Sequence, residues 1–493
     1  MAAKGSEPIE TRLFINNEFR ESSSKKTFDV VYPYTQEVVA QVHEADVNDV
    51  NDAVAAASAA FPAWRDLGVD ARGAYLRKVS ELFIEANDEL ARLETLCTGR
   101  PISQYVDGKM SADTWRSFAD AGWNVQGTAS THTPGLLSLT VKEPYGVAAM
   151  IIPWNFPLVM FSMKMAAALA AGNTVVLKSS EKAPLTANQN YLVHRRRKTY
   201  PKSRLPSRRR QHHCRPRKPN RRRLAEHMDV RCISFTGSSL TGQKIQAAAA
   251  KSNMKHVHTE LGGKSPAVVF EDADLESAAA QTQFSIRFNS GQVCVANSRI
   301  YVQESVAEKF TALFREQFAQ YALGDPLDPA TQQGPQIDVL QYKRVQEYLG
   351  IGEKDGELTV GGDAKDGFFV KPTIFEKVPE DSRVMREEIF GPVVAINTFK
   401  TEEEAIKKAN DTEFGLYASV FTKDLDRAIR LSKALEAGTV GVNCTSPTNA
   451  KDAAFGGYKM SGTGREGLLY SIDNFVQTKS IIIKAGGTSA GFF

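Results

Sequence analysis

Cysteine is scarce in this 493-residue chain, and its five copies (Cys97, Cys214, Cys232, Cys294, Cys444) stand far apart with no CxxC pair. That spacing argues against a disulfide framework and against a zinc site, and it fits a reducing compartment. No run of eighteen apolar residues occurs, so no membrane-spanning helix is expected. The opening text, MAAKGSEPIE, has no apolar stretch and carries acids, so neither a secretory signal nor a transit peptide is expected, and a cytoplasmic location is. The 42% apolar and 24% charged fractions are ordinary for a globular protein. The length exceeds what one hydrophobic core supports, so two or three domains are expected.

Acidic residues are missing altogether from 195–223, where fifteen of twenty-nine residues are Lys or Arg. With those fifteen set aside, 46 basic residues face 57 acidic ones, so the formal net charge of +4 hides a mildly acidic protein carrying one basic insert.

What is present is an α/β rhythm. Val47 to Trp64 and Asp70 to Thr98 read as helices, the second stopped by Gly99 and Pro101. The text around 126–145 reads as a hairpin leaving the body of a domain. Val147–Ile152 is an apolar run of strand length, followed by PWNFP, a helical segment to Ala171 and a second strand, Thr174–Lys178. A strand, helix and strand in about thirty residues make a βαβ crossover and imply a parallel sheet. Ligands of such sheets sit beyond the carboxyl ends of the strands, where Asn155, Lys178 and Glu181 lie. A further strand at Cys232–Phe235 runs into Thr236-Gly237-Ser238-Ser239 and a helix, a turn that offers free N–H groups to an anion. Strands and helices then alternate to about Asn443. Phe475–Lys484 alternates apolar and polar residues up to Ile481-Ile482-Ile483, an edge expected to complete a sheet, either in this chain or in a neighbouring subunit.

Three residue types could carry chemistry together. Cys294 lies in Phe288-Asn289-Ser290-Gly291-Gln292-Val293-Cys294, a thiol just after a glycine turn that allows close backbone approach. Glu260 is a carboxylate just before Gly262-Gly263, and Asn155 is an amide donor at a strand end. A lone cysteine is more often an inert buried residue. The other motifs, in the order PWNFP, KSSE, FTGS, ELGGKSP, GQVC, EEIFGPV and FGGYKMSG, change that weighting.

That order and text closely resemble the NAD(P)-dependent aldehyde dehydrogenase superfamily, from Leu13 to about Lys484 except 189–223. The resemblance implies an α/β fold with a Rossmann-like dinucleotide-binding domain (1–125 and 146–257), an α/β catalytic domain (258–455) and a small β bridging extension (126–145 and 470–493). It implies Cys294 as nucleophile, Glu260 as the base that activates water, and Asn155 as oxyanion donor. Cofactor contacts would come from Ile152, Pro153 and Trp154, from Lys178, Ser180 and Glu181 at the adenosine ribose, and from Gly237 and Ser238 at the pyrophosphate. Leu261, Gly262, Glu388 and Phe390 would surround the nicotinamide ribose. A carboxylate at 181 accepts hydrogen bonds from a free 2′-OH and repels a 2′-phosphate, so NAD is expected over NADP. No metal is implied. Phe156, Met163, Phe288, Val293, Val295 and Phe455 match tunnel positions and suggest an apolar aldehyde, although each also reads as core. A homodimer or homotetramer is implied, with no membrane partner.

Residues 189–223 depart from that family, which has a helix, a short strand and the start of another helix here. With four prolines and dense positive charge, the segment is expected to be disordered and unable to supply a buried strand. Three readings are open. The text could come from a shifted reading frame, which the abrupt return to family-like text at Leu224 favours; it could be a looped-out insert binding nucleic acid or acidic surfaces; or it could be a nuclear-localisation-like signal. A chain lacking that strand is expected to bind NAD weakly, which leaves an impaired or inactive paralogue as the alternative to a working enzyme. Nucleic-acid binding through 195–223 stands third.

Overall fold

The structure, a computed structural model, describes residues 9–188, 210–213, 219–319, 321–365, 367–447 and 450–484. Its first sheet has eight strands in the order Glu18–Arg20, Leu13–Ile15, Arg210–His213, Thr174–Lys178, Val147–Ile151, Val230–Thr236, His256–Glu260, Gly462–Thr463. The five strands from Arg210–His213 to His256–Glu260 are mutually parallel. Val147–Ile151 and Thr174–Lys178 are buried at every residue, as unbroken apolar runs must be when helices cover both faces of a sheet. Leu13, Val54, Val147, Val176, Ile233 and Ile245 share a core on one face; Trp115, Ala148, Met165 and Val175 belong to the core on the other. Chain order runs outward both ways from Val147–Ile151. The winding therefore reverses between that strand and Val230–Thr236, opening a crevice at their carboxyl ends.

A second, seven-stranded sheet is ordered Glu357–Val360, Thr373–Glu376, Val393–Phe399, Arg299–Gln303, Pro266–Val269, Tyr417–Phe421, Thr439–Val442. All but Glu357–Val360 are parallel. The chain leaves the first sheet at Glu260 and enters the second at Pro266, so the carboxyl ends of one sheet meet the amino ends of the other. Cys294 lies in the connection from the helix Leu275–Arg287 to the strand Arg299–Gln303, at that junction. A third sheet pairs Val476–Lys484 with Leu136–Pro144 over nine residues, and Ala129–Ser130 completes it. The expected edge thus finds a partner within the chain, while Ile481, Ile482 and Ile483 stay exposed. Among the described residues no helix is long and apolar enough to cross a membrane.

The expectation for 189–223 needs correction. Arg210–His213 forms a strand between Thr174–Lys178 and Leu13–Ile15, with Val176 opposite Gln211 and Phe14 opposite His212. A ladder is made by backbone N–H and C=O groups, so any proline-free stretch of the right length can fill the place, and 207–215 is proline-free between Pro206 and Pro216. The following helix, Pro219–Glu226, starts inside the basic segment, at a proline whose missing N–H costs nothing in a first turn. It buries Leu224 and Ala225 against the first sheet, and Arg223 donates to Asn51 Oδ1 at 3.2 Å. Residues 189–209 and 214–218 lie outside the described residues. If this strand completes the sheet, Gln211→Pro should lower the melting temperature by several degrees and weaken dinucleotide binding, because proline cannot donate to a ladder paired on both sides; unchanged melting would show that the strand contributes nothing.

Candidate active site

The Cys294 loop begins where the helix Leu275–Arg287 ends. Asn289, Ser290 and Gly291 follow with φ of 50°, 54° and 73°. Two non-glycine residues in the left-handed region are costly, and the surroundings must hold them there. Here amide side chains do so. The Asn289 N–H donates to Gln104 Oε1 at 3.0 Å, and Gln336 Nε2 donates to the Ser290 carbonyl at 3.1 Å. Ser290 Oγ donates to the Gly334 carbonyl at 2.8 Å, and Gln292 Oε1 accepts from the Ile337 N–H at 3.0 Å. Gly291 must be glycine, because a Cβ there would lie 2.1 Å from the Gly391 carbonyl.

The same amides tie this loop to Asn155. Pro157, pre-set for a helix, opens Pro157–Ala170 directly after the strand, which leaves Asn155 and Phe156 in a tight turn. Asn155 Nδ2 donates to the Gln292 carbonyl at 3.0 Å, and Asn289 Nδ2 donates to the Asn155 carbonyl at 3.2 Å. One Asn155 N–H is therefore engaged in fixing the amide.

Glu260, at the end of its strand, is 4% exposed, and neither carboxylate oxygen has a well-formed hydrogen bond. Burial pushes its pKa up to about 7, helped by the Glu466 carboxylate; the Lys164 ammonium and contacts with the Cys294 thiol and Thr236 hydroxyl pull the other way. Neither contact completes a hydrogen bond that would satisfy the oxygens. The Cys294 thiol is pushed up in turn, by burial and then by the facing Glu260. Sulfur and carboxylate thus meet, and burial disfavours the charged form of each.

On the nucleotide side, the helix Ser239–Ser252 has no side-chain cap, and the Ser238 hydroxyl turns to Thr241 Oγ1 at 3.0 Å. The N–H groups of Ser239 and Leu240 are thereby left for an anion. Gly237 bonds back to the Glu260 carbonyl at 3.2 Å, joining the two strand ends. Lys178, buried, donates to the Ser179 carbonyl at 2.6 Å and reaches Glu181 Oε2 at 3.4 Å. Ile152 bonds the Lys178 carbonyl, Pro153 lies between Ile152 and Trp154, and Ser180 Oγ accepts from the Lys182 N–H. Trp154 meets Phe390 edge-on at 5.4 Å, and Phe390 itself has φ of 62°. Glu388 Oε1 accepts from the Gly263 N–H at 3.1 Å. Burial pushes Glu388 up to about 7. A Cβ on Gly262 would strike Glu388 Oε2 at 2.3 Å, and Leu261 is locked to the Ser461 carbonyl at 2.9 Å. This surface fits a dinucleotide: an uncapped helix end for a pyrophosphate and carboxylates for two riboses.

On the other side, Phe156 and Phe288 stack at 5.8 Å, and Phe455, Val293 and Cys294 pack against the cluster of Val295, Leu416 and Tyr417. Met163 lies on the Phe156 face of its helix, two turns on. Val295 is 2% exposed and packs with Leu416 and Tyr417, the cluster against which Cys294 lies. Sequence reading missed several contributors. Phe284, 47% exposed, continues the stack from Phe288 at 5.4 Å, and its helical spacing of four from Phe288 was a usable signal. Arg100, buried against Asp107, lies 4.6 Å from the Phe156 ring. Lys164 and Glu466 come from distant parts of the chain and gave no local signal.

The model described as "Aldehyde dehydrogenase family" matches residues 19–481. An aldehyde dehydrogenase of Emericella nidulans is 43% identical over 479 residues, covering 96% of this chain and 95% of its own length. The solved gamma-glutamyl-gamma-aminobutyraldehyde dehydrogenase of Burkholderia cenocepacia superposes with a TM-score of 0.93 at 40% identity, covering 97% of each chain. A solved indole-3-acetaldehyde dehydrogenase in complex with NAD+ gives 0.92 at 38% identity, again over 97% of each chain.

Two outcomes test the site's geometry. Gly291→Ala should cost about a hundredfold or more in any Cys294-dependent activity, since displacement of a reacting group by 1 Å is worth that much; iodoacetamide labelling of Cys294 should change rate with it. Because the folded pKa of Glu260 is raised, its ionised form opposes folding. That penalty is absent below the ordinary value of 4.5, grows as pH rises, and is complete above about 7. Glu260→Gln should therefore melt above the parent at pH 8 and level with it near pH 4.5; a gain independent of pH would rule this out.

Proposed function

The chain belongs to the aldehyde dehydrogenase family, and from that premise we propose that it oxidises an aldehyde to the carboxylic acid with NAD through a Cys294 thioester. The observation that carries the reading is the Cys294 thiol set against Glu260, a carboxylate with no satisfied oxygen. As thiolate, the Cys294 sulfur adds to the aldehyde carbonyl and gives a thiohemiacetal. The second N–H of Asn155 holds the oxygen as charge develops, an interaction worth a hundredfold or more in comparable sites. A bound nicotinamide dinucleotide supplies the hydride acceptor, and Gly237, Ser238, Lys178, Glu181, Glu388 and Phe390 would hold it. Water then attacks the thioester. Glu260, with a pKa near neutrality, removes its proton and the sulfur leaves as thiolate.

Glu181 favours NAD over NADP, because a carboxylate beside Lys178 accepts from a 2′-OH and repels a phosphate. A coenzyme-A thiol as acyl acceptor would use the same thioester, but the unsatisfied Glu260 oxygens favour water. The strand at Arg210–His213 supports a working cofactor sheet over an impaired paralogue. The stacked phenylalanines suit an apolar aldehyde. Three exposed isoleucines, Ile481 to Ile483, on the outer strand of the third sheet support a homo-oligomer. Four free thiols among the described residues support a cytoplasmic setting.

Production of NADH from a panel of apolar aldehydes tests the proposal, and Cys294→Ala should abolish it. Glu260→Gln should retain a first-turnover burst and then stall; full steady turnover in that variant would remove Glu260 from its role. In the parent protein, the base must be ionised, so deacylation should fall about tenfold per pH unit below pH 7.

A further inference from the structure

Hydrolysis at this site leaves a proton with a long way to go. As the C–O bond forms and the C–S bond breaks, the sulfur departs as thiolate and one water proton passes to Glu260. That proton must reach solvent before the next turnover, yet Glu260 is 4% exposed.

Its strand, His256–Glu260, reads HVHTE. Alternate side chains on a strand share a face, so His256, His258 and Glu260 stand in one row. Burial is graded along it, from exposed His256 through half-buried His258 to buried Glu260. In the parallel register Ser234 lies opposite His258 and Thr236 opposite Glu260. Buried Lys164 donates to Ser234 Oγ at 3.0 Å and to Glu466 Oε1 at 2.5 Å. The Lys164 and Glu466 charges act on both Glu260 and His258, which puts that ion pair alongside the row. Five atoms here are buried without a hydrogen-bond partner: both Glu260 oxygens, Thr236 Oγ1, Glu466 Oε2 and His258 Nε2. Such atoms are rare singly, and a run of them marks a path that water can bridge.

The bland alternative is a packed core histidine, for which the Phe475 ring 6.4 Å away would suffice. A core histidine would satisfy Nε2, and His258 does not. Its neighbours also suit a relay. Burial, His256 and Lys164 lower its pKa to about 4 against the Asn474 backbone and Glu466, so the ring is neutral at pH 7 and can accept at one nitrogen while donating from the other.

We propose that the His256–His258 face of this strand is the proton exit of the active site, with His258 relaying the Glu260 proton past Glu466 to solvent through bridging water. The proposal rests on Glu260 being the base of hydrolysis. His258 acts only through Glu260, so its effect falls on deacylation alone.

The test uses the full chain with NAD and hexanal, following the NADH burst and, by rapid quench, the decay of the Cys294 thioester. His258→Leu and His258→Gln should keep the burst within about twofold and slow thioester decay about tenfold or more, with recovery on adding free imidazole. Decay at the parental rate in a variant with a normal burst overturns the proposal. Loss of the burst in both variants also overturns it, since His258 would then be structural. Glu260→Gln, run alongside, separates the two readings: a parental decay rate there removes the base itself, while a stalled Glu260→Gln beside a fast His258→Leu removes only the exit route.

Discussion

A buried carboxylate with no hydrogen-bond partner costs roughly 1–3 kcal/mol or more, and Glu260 is such a group. Left to local energetics, the side chain would swing to water or find a donor. It cannot, because it stands at the carboxyl end of one parallel sheet where the chain turns at once into a second. Sheet packing on both faces over-determines the position, and the unsatisfied charge is the part of that packing which chemistry can use.

The nucleophile depends on the same constraint from the opposite side. Cys294 faces Glu260 only because Asn289 and Ser290 are held at positive φ by amides from Gln104, Gln292 and Gln336. The Gln292 carbonyl and the Asn289 side-chain amide also clamp Asn155, so the Cys294 loop and Asn155 form one hydrogen-bonded unit set against Glu260. The Arg100–Asp107 pair beneath Phe156 extends the rigidity to the apolar wall. Stability is spent on placing groups, and the raised pKa values of Glu260 and Glu388 record where.

Much of this was legible in the text. The βαβ crossover at Val147–Lys178 announced itself because strands buried on both faces read as unbroken apolar runs. Gly237, Gly262 and Gly291 mark close approaches that a Cβ would block. The basic segment misled because composition speaks for side chains, whereas a sheet position is claimed by backbone; four residues, Arg210–His213, suffice.

By itself, then, the sequence determined the chemical inventory and its order along the chain: one thiol after a glycine turn, one carboxylate before two glycines, an amide and a nucleotide platform at strand ends. These are local properties, set by residue type and spacing. Tertiary structure alone decided which groups meet. Glu466 and Lys164 act on Glu260 across some two hundred and some one hundred residues, and two sheets joined end to end turn a titratable strand face into a graded line from solvent to a buried carboxylate. Proximity of that kind depends on how sheets stack and where water is excluded, and no window of sequence contains it.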